Sequence, residues 1–179
     1  MIGGKGVKTT KLTLTALFLS LSFMLSLLEG FVPISVFVPI PGLKLGFANI
    51  AVMAAILYCG RISALCIVVL RPLLNLLLFG NITSFILSLS GGLLSYFILL
   101  FTVKLYKKAF TFGGISVISA VCHSIGQIIA ASLVVTSGAV YSYLPLLCAA
   151  SAVTGMLTGV VMNLVYSRLD RKNSGDLKI

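Results

Sequence analysis

Six long apolar runs, parted by short turn-forming or basic stretches, constrain this chain more than any other feature. They cover about Leu12–Leu28, Leu45–Cys59, Ile62–Phe79, Ile82–Val103, Phe112–Val135 and Tyr143–Tyr166. A helix of about 20 predominantly apolar residues crosses the hydrocarbon core of a bilayer, and shorter ones are tolerated when flanking groups snorkel. The breaks fall at Gly60-Arg61, Gly80-Asn81, Lys104–Gly114 and Thr136–Tyr141, where glycine, polar or charged residues end helices. The runs predict an all-α, polytopic membrane protein built as a six-transmembrane-helix bundle, with the second and third spans short.

Composition agrees with this reading. Only 9% of the residues are charged, against roughly 25% in a soluble domain, so the chain cannot cover a water-facing surface. The 13 Lys+Arg against 3 Asp+Glu give a formal charge of +10. Those cations punctuate apolar runs instead of forming a basic domain face, which speaks against nucleic acid as a partner. With six spans, Lys5, Lys8, Lys11, Arg61, Lys104, Lys107, Lys108, Arg168, Arg171, Lys172 and Lys178 share one side. Lys44 faces the other side and Arg71 is left inside a span. The positive-inside rule then puts both termini in the cytoplasm of a multi-pass protein of the cell membrane. The whole chain, residues 1–179, reads as one membrane domain: a basic tail over 1–11, the bundle over 12–167 and a second tail over 168–179.

The amino terminus has a basic stretch before an apolar one, yet Ser26-Leu27-Leu28-Glu29 offers no small-residue cleavage pattern, so the first run reads as a retained span. Gly3-Gly4-Lys5-Gly6 lacks the spacing of a phosphate-binding loop. The loop at about Glu29–Lys44 holds Pro33, Pro39, Pro41 and Gly42 among Val, Ile and Phe. It is too apolar for a water-exposed linker and too rich in proline for a helix. It reads either as a rigid interfacial connector or as a lid over the outer mouth of the bundle.

Ionisable groups inside a membrane are costly and mark a site or a buried pair. Arg71 lies near the middle of the third span, and His123 lies about as deep in the fifth, which runs in the same direction. Asn75 and Gln127 follow each at i+4, on the same helix face. Two helices thus carry a cation or imidazole, then an amide, at matching depth. A guanidinium there needs an acceptor. An anionic small-molecule ligand would supply one, with Lys44 and Asn49 completing the mouth. The alternative is that Arg71 pairs with Glu29 or binds carbonyls freed by Pro72, and that His123 is a hydrogen-bonded core imidazole. Cys59, Cys66, Cys122 and Cys148 form no CxxC pair and read as small apolar packers, so no metal or cofactor is expected. No nucleophile–base constellation is present. Ser151, Gly155, Gly159 and Asn163 in span six, Ser84, Ser88 and Gly92 in span four, and Ala16 and Ser20 in span one sit at intervals of four, the spacing that lets membrane helices approach closely. These stripes read as internal packing, and that of span one, a terminal helix, also as a docking face for another membrane subunit.

The stretch Pro41-Gly42-Leu43-Lys44-Leu45-Gly46-Phe47-Ala48-Asn49 resembles a bacterial membrane family, as do Arg71 with Leu78-Phe79-Gly80, Ser90-Gly91-Gly92, and Ala120 to Gln127. That family is the Gx transporter family, also known as heptaprenyl diphosphate synthase component I. It is similar to the substrate-binding S components of energy-coupling factor (ECF) transporters. The resemblance covers roughly residues 12–167. It implies a six-helix fold with an outer lid, a site lined by Lys44, Asn49, Arg71, Asn75, His123 and Gln127, and a face at Ala16 and Ser20 for a transmembrane coupling subunit with its ATPases. The second family name implies instead a prenyl diphosphate synthase subunit as partner. Prenyl transfer requires aspartate-rich clusters that hold magnesium. This chain has two aspartates, Asp170 and Asp176, both in its tail. The resemblance therefore implies a substrate-binding transport protein or a non-catalytic partner in polyprenyl diphosphate or quinone biosynthesis.

Overall fold

The structure, a computed structural model, describes residues 3–30, 43–106 and 111–170. Most of the proline-rich loop expected at about 29–44 therefore lies outside the described residues, as do Arg171, Lys172 and Lys178. Six α-helices account for nearly all of the described chain: α1 (Gly3–Gly30), α2 (Asn49–Tyr58), α3 (Arg61–Phe79), α4 (Ile82–Thr102), α5 (Phe112–Val135) and α6 (Leu144–Asp170). Five of them are long and apolar enough to cross a membrane. The exception is α2, whose 10 residues rise about 15 Å at 1.5 Å per residue.

The ends of the helices follow local chemistry. Gly80 closes α3 in the left-handed conformation, and Asn81 then caps α4 by accepting from the Ser84 N–H at 2.9 Å. Thr111 caps α5 through the Gly114 N–H, and Ser137 accepts from Ala139 at the turn before α6. The second apolar run starts at Leu45, but its helix starts only at Asn49. Gly46 takes φ +91°, a conformation that L side chains avoid and that interrupts a helix. Residues 43–48 form a non-helical strap instead, which ends in a turn at Phe47 and Ala48.

The strap carries backbone polar groups at membrane depth, where each must find a partner within the protein. Four side chains from three helices supply them. Gln127 Oε1 on α5 accepts from the Lys44 N–H at 3.2 Å, and Thr154 on α6 donates to the Leu45 carbonyl at 3.2 Å. On α1, Glu29 accepts from the Phe47 N–H, and Ser22 donates to the Ala48 carbonyl at 3.5 Å.

The other helices pack by close backbone approach. A methyl at Gly159 would sit 2.5 Å from the Gly113 Cα, and one at Gly155 would sit 2.7 Å from the Val117 Cα. The small-residue stripe of α6 is therefore its seam with α5, although Asn163 is exposed. Gly126 of α5 meets Gly91 of α4 in the same way, at 2.9 Å. Paired hydroxyls run along these seams: Ser116 with Thr158 at 2.5 Å, Ser95 with Ser119 at 2.8 Å, and Ser124 with Ser151. Two apolar clusters lie along the bundle. One, around Met53, Ile67, Leu99, Ile115 and Met162, is near the end that carries Arg61, Lys104 and Arg168. At that end Tyr106, Phe112 and Tyr166 stack together. The other cluster, around Leu43, Leu87, Ile128 and Leu147, is near the opposite end.

Candidate functional site

Between the two apolar clusters lies a polar layer. Its centre is Ser26 of α1, whose hydroxyl accepts from Lys44 Nζ at 2.5 Å and from Asn75 Nδ2 at 3.2 Å. Asn75 also donates to the Arg71 carbonyl one turn earlier on α3, at 3.1 Å. The Arg71 guanidinium turns toward α4, where Nη2 reaches Ser88 Oγ at 3.5 Å. Gly92 lies beside it, packed most tightly on Val68 of α3, whose Cγ1 a methyl there would approach to 3.2 Å. From the other side, His123 and Gln127 of α5 pack on Gly91 of α4, where a methyl would come within 2.8 Å of Gln127 Cγ and 3.1 Å of His123 Cε1. The Gly91-Gly92 step therefore lets α5 and α3 close on α4 from two sides. Asn49, at the first turn of α2, lies with the His123 ring around Gly46; a methyl at Gly46 would be 3.4 Å from Asn49 Nδ2 and 3.7 Å from the ring.

All six residues expected at the site, Lys44, Asn49, Arg71, Asn75, His123 and Gln127, thus belong to one connected layer. Its chemistry is unusually closed: Arg71 is 2% exposed, His123 1% and Gln127 0%. Ser26, Glu29 and Ser88 complete it, and sequence reasoning missed Ser26 and Ser88 in this role. Ser22, Ser26 and Glu29 are spaced i, i+4, i+7, one polar line on an otherwise apolar helix, and that spacing was the available signal. Ser88 was read only as a packing residue. Glu29, weighed in the sequence as an alternative partner for Arg71, is buried, 3% exposed, where it interacts electrostatically with both Arg71 and Lys44.

The layer holds two cations against one carboxylate. Burial, and then the Arg71 charge, lower the Lys44 ammonium to about 8, with Glu29 opposing. Two buried atoms, Asn49 Nδ2 and Arg71 Nε, have no hydrogen-bond partner, and His123 Nδ1 has none of good geometry, the Gly91 backbone lying beside its ring. The first two are donors by their own chemistry, and the hydrogen-bond chain identifies the third. The Lys44 N–H can only donate, so the oxygen of the Gln127 amide faces it and Nε2 faces His123. Gln127 Nε2 therefore donates to His123 Nε2 at 3.1 Å, and the neutral ring carries its proton on Nδ1. Each unmatched group is an N–H, in a layer with surplus positive charge. Unmatched buried donors of this kind cost free energy until an acceptor meets them. What the arrangement can do is bind an acceptor-rich, negatively charged group.

Ala16 and Ser20 lie elsewhere, exposed on α1, with the Ser20 hydroxyl donating to the Ala16 carbonyl of its own helix at 2.9 Å. Among the described residues no three His, Cys, Asp or Glu side chains are grouped as metal ligands.

Comparison with known proteins gives one family. The model described as heptaprenyl diphosphate synthase component I matches residues 18–165, a range that holds the strap, the polar layer and all of the glycine seams. No curated protein matches the chain, and no solved structure does.

Proposed function

This chain belongs to the heptaprenyl diphosphate synthase component I family, and from that premise we propose that it is a membrane-embedded binding protein for a small anionic ligand. The observation that carries this reading is the set of three buried, unmatched donors on Asn49, Arg71 and His123 in a layer with a net positive charge. Lys44, Asn49, Arg71, Asn75, His123 and Gln127 are the ligand-binding residues. The α2 segment with its strap counts as a sixth crossing, both termini are cytoplasmic, and the ligand enters from the outer side. The resemblance to ECF S components supports a role in transport, with Ala16 and Ser20 facing a coupling subunit.

The test is thermal stabilisation of the purified protein, screened across vitamins, isoprenoid diphosphates and quinone precursors. A stabilising compound is expected to lose its effect in Arg71→Ala and His123→Ala. If both variants responded as the parent does, the polar layer would not be the site.

The family name favours a second reading, a non-catalytic component that works beside a prenyl diphosphate synthase subunit in polyprenyl diphosphate or quinone biosynthesis. The chain's acids, Glu29, Asp170 and Asp176, do not make the clusters that hold magnesium against a diphosphate, so in this reading the chemistry belongs to the partner. Co-purification with a prenyl synthase subunit, and no response to any small anion, would favour it.

A further inference from the structure

The side-chain amide of Gln127 has both of its ends engaged, one by the strap and one by the imidazole. Its oxygen accepts from the Lys44 N–H at 3.2 Å, and its nitrogen faces Nε2 of His123, one turn earlier on α5, at 3.1 Å. The side chain is fully buried, with Gly91 of α4 behind it. The strap also lies on the ring: a methyl at Gly46 would be 3.7 Å from Cδ2. An amide has a direction, since its oxygen only accepts and its nitrogen only donates. A backbone N–H only donates. The strap therefore fixes which end of the amide faces the ring, and the amide fixes which ring nitrogen holds the proton. Turned over, the amide would set its nitrogen against the Lys44 N–H and leave buried donors facing each other, which is costly.

We propose that Gln127 is a positioning residue, a relay through which the strap sets the tautomer of His123. With the strap seated, Nε2 of the ring accepts and Nδ1 carries the proton, so the ring offers a donor on the side away from Gln127. With the Lys44 N–H withdrawn, the amide is free to turn, its oxygen can accept from a proton on Nε2, and Nδ1 becomes an acceptor. The seating of the strap and the polarity of the ring are two ends of one equilibrium. By linkage, an acceptor that meets Nδ1–H favours the seated strap. This last consequence rests on the reading of the layer as a binding site, whereas the relay itself does not.

The chain contains a single histidine, so histidine labelled with nitrogen-15 reports on His123 alone. Solid-state NMR of the full-length protein in lipid nanodiscs then distinguishes a protonated ring nitrogen from a bare one. The parent is expected to show a proton on Nδ1 and none on Nε2. Lys44→Ala and Lys44→Pro both remove the lysine side chain, but only proline removes the backbone N–H. Lys44→Ala should keep the parent tautomer, and Lys44→Pro should move roughly half of the rings to the other one, as expected when neither orientation of the amide is favoured. Gln127→Met, close in volume and without the amide, should lose the fixed tautomer as well. Should Lys44→Pro fail to fold, the strap link is read from hydrogen exchange at the Lys44 N–H, expected to be about tenfold faster in Gln127→Met than in the parent. A parent ring protonated on Nε2 would overturn the relay. So would a tautomer unchanged in Gln127→Met, or one that responds alike to Lys44→Ala and Lys44→Pro, or, where exchange is the reading, a Lys44 N–H that exchanges no faster in Gln127→Met. No ligand enters the measurement, so its failure leaves the anion reading standing, and a failed ligand screen leaves the relay standing.

Discussion

The seams that join α4, α5 and α6 and the layer that holds α1, α3 and the strap meet the same requirement with opposite means. In the seams, glycines bring backbone against backbone, with Gly159 on Gly113 and Gly126 on Gly91, and the remaining polar groups are hydroxyls that satisfy one another in pairs. None of those paired hydroxyls is among the unmatched buried groups. Around the strap, contact is made through long polar side chains, buried donors are unmatched, and Glu29, Arg71 and Lys44 share one buried region. Lipid tails are as apolar as leucine, so helices associate in a membrane by dispersion and hydrogen bonding. The seams use these forces for rigidity. The strap region retains unmet polar groups, the mark of a surface made for something besides folding.

The contrast can be broken experimentally. Its largest expected consequence comes from Glu29→Ala, which leaves the Phe47 N–H without its acceptor and two buried cations without their counter-charge. A loss of about 3–5 kcal/mol in unfolding free energy is expected, with Glu29→Gln losing much less because the acceptor remains. Equal losses in the two variants would show that the strap is held by shape and not by charge. Next comes Gly159→Ala, whose added methyl would lie 2.5 Å from backbone that has no side chain to move aside. About 2–3 kcal/mol is expected for this overpacking, read as a lower melting temperature, whereas Gly138→Ala, with nothing within 4 Å of its added methyl, should be close to neutral. A benign Gly159→Ala would mean that the seam is looser than its geometry implies.

The smallest effect is one of pH. Lys44 is charged below about 8 and neutral above, so anion binding should weaken as pH rises through that value. Lys44→Arg, which stays protonated, should flatten the profile. Stability runs the other way. The unfolded chain holds its lysine proton up to the ordinary value of 10.5 and the folded chain releases it from about 8, so stability should rise with pH between these values. A binding profile that is level across pH 8 would remove Lys44 from the charge count.

Much of this was legible in the sequence, and the parts that were not share a cause. The apolar runs gave α3, α4, α5 and α6 to within a few residues, because hydropathy and turn residues act locally, while α1 continues through the basic stretch before its run. Arg71 with Asn75 and His123 with Gln127 were visible because an i, i+4 pair declares its face without reference to any other helix. Glu29 was legible only as one alternative partner for Arg71, because its burial depends on the helices packed around it and not on its own neighbours in sequence. The length of α2 was overestimated for a similar reason: Leu45, Phe47 and Ala48 are apolar enough for a span, and only the conformation of Gly46 and the side chains waiting on three other helices keep them out of the helix.

The strap has one more property. Its anchored groups alternate along the chain, with the Lys44 N–H, the Leu45 carbonyl, the Phe47 N–H and the Ala48 carbonyl met in turn by an acceptor, a donor, an acceptor and a donor. This is a code with a single reading frame. Sliding the strap by one residue would set donor against donor or acceptor against acceptor at several points at once. The first residue of α2, and with it the depth of Asn49, is therefore fixed by polarity matching rather than by hydrophobic fit, so a one-residue insertion or deletion at 43–48 should do more harm than any single substitution within it.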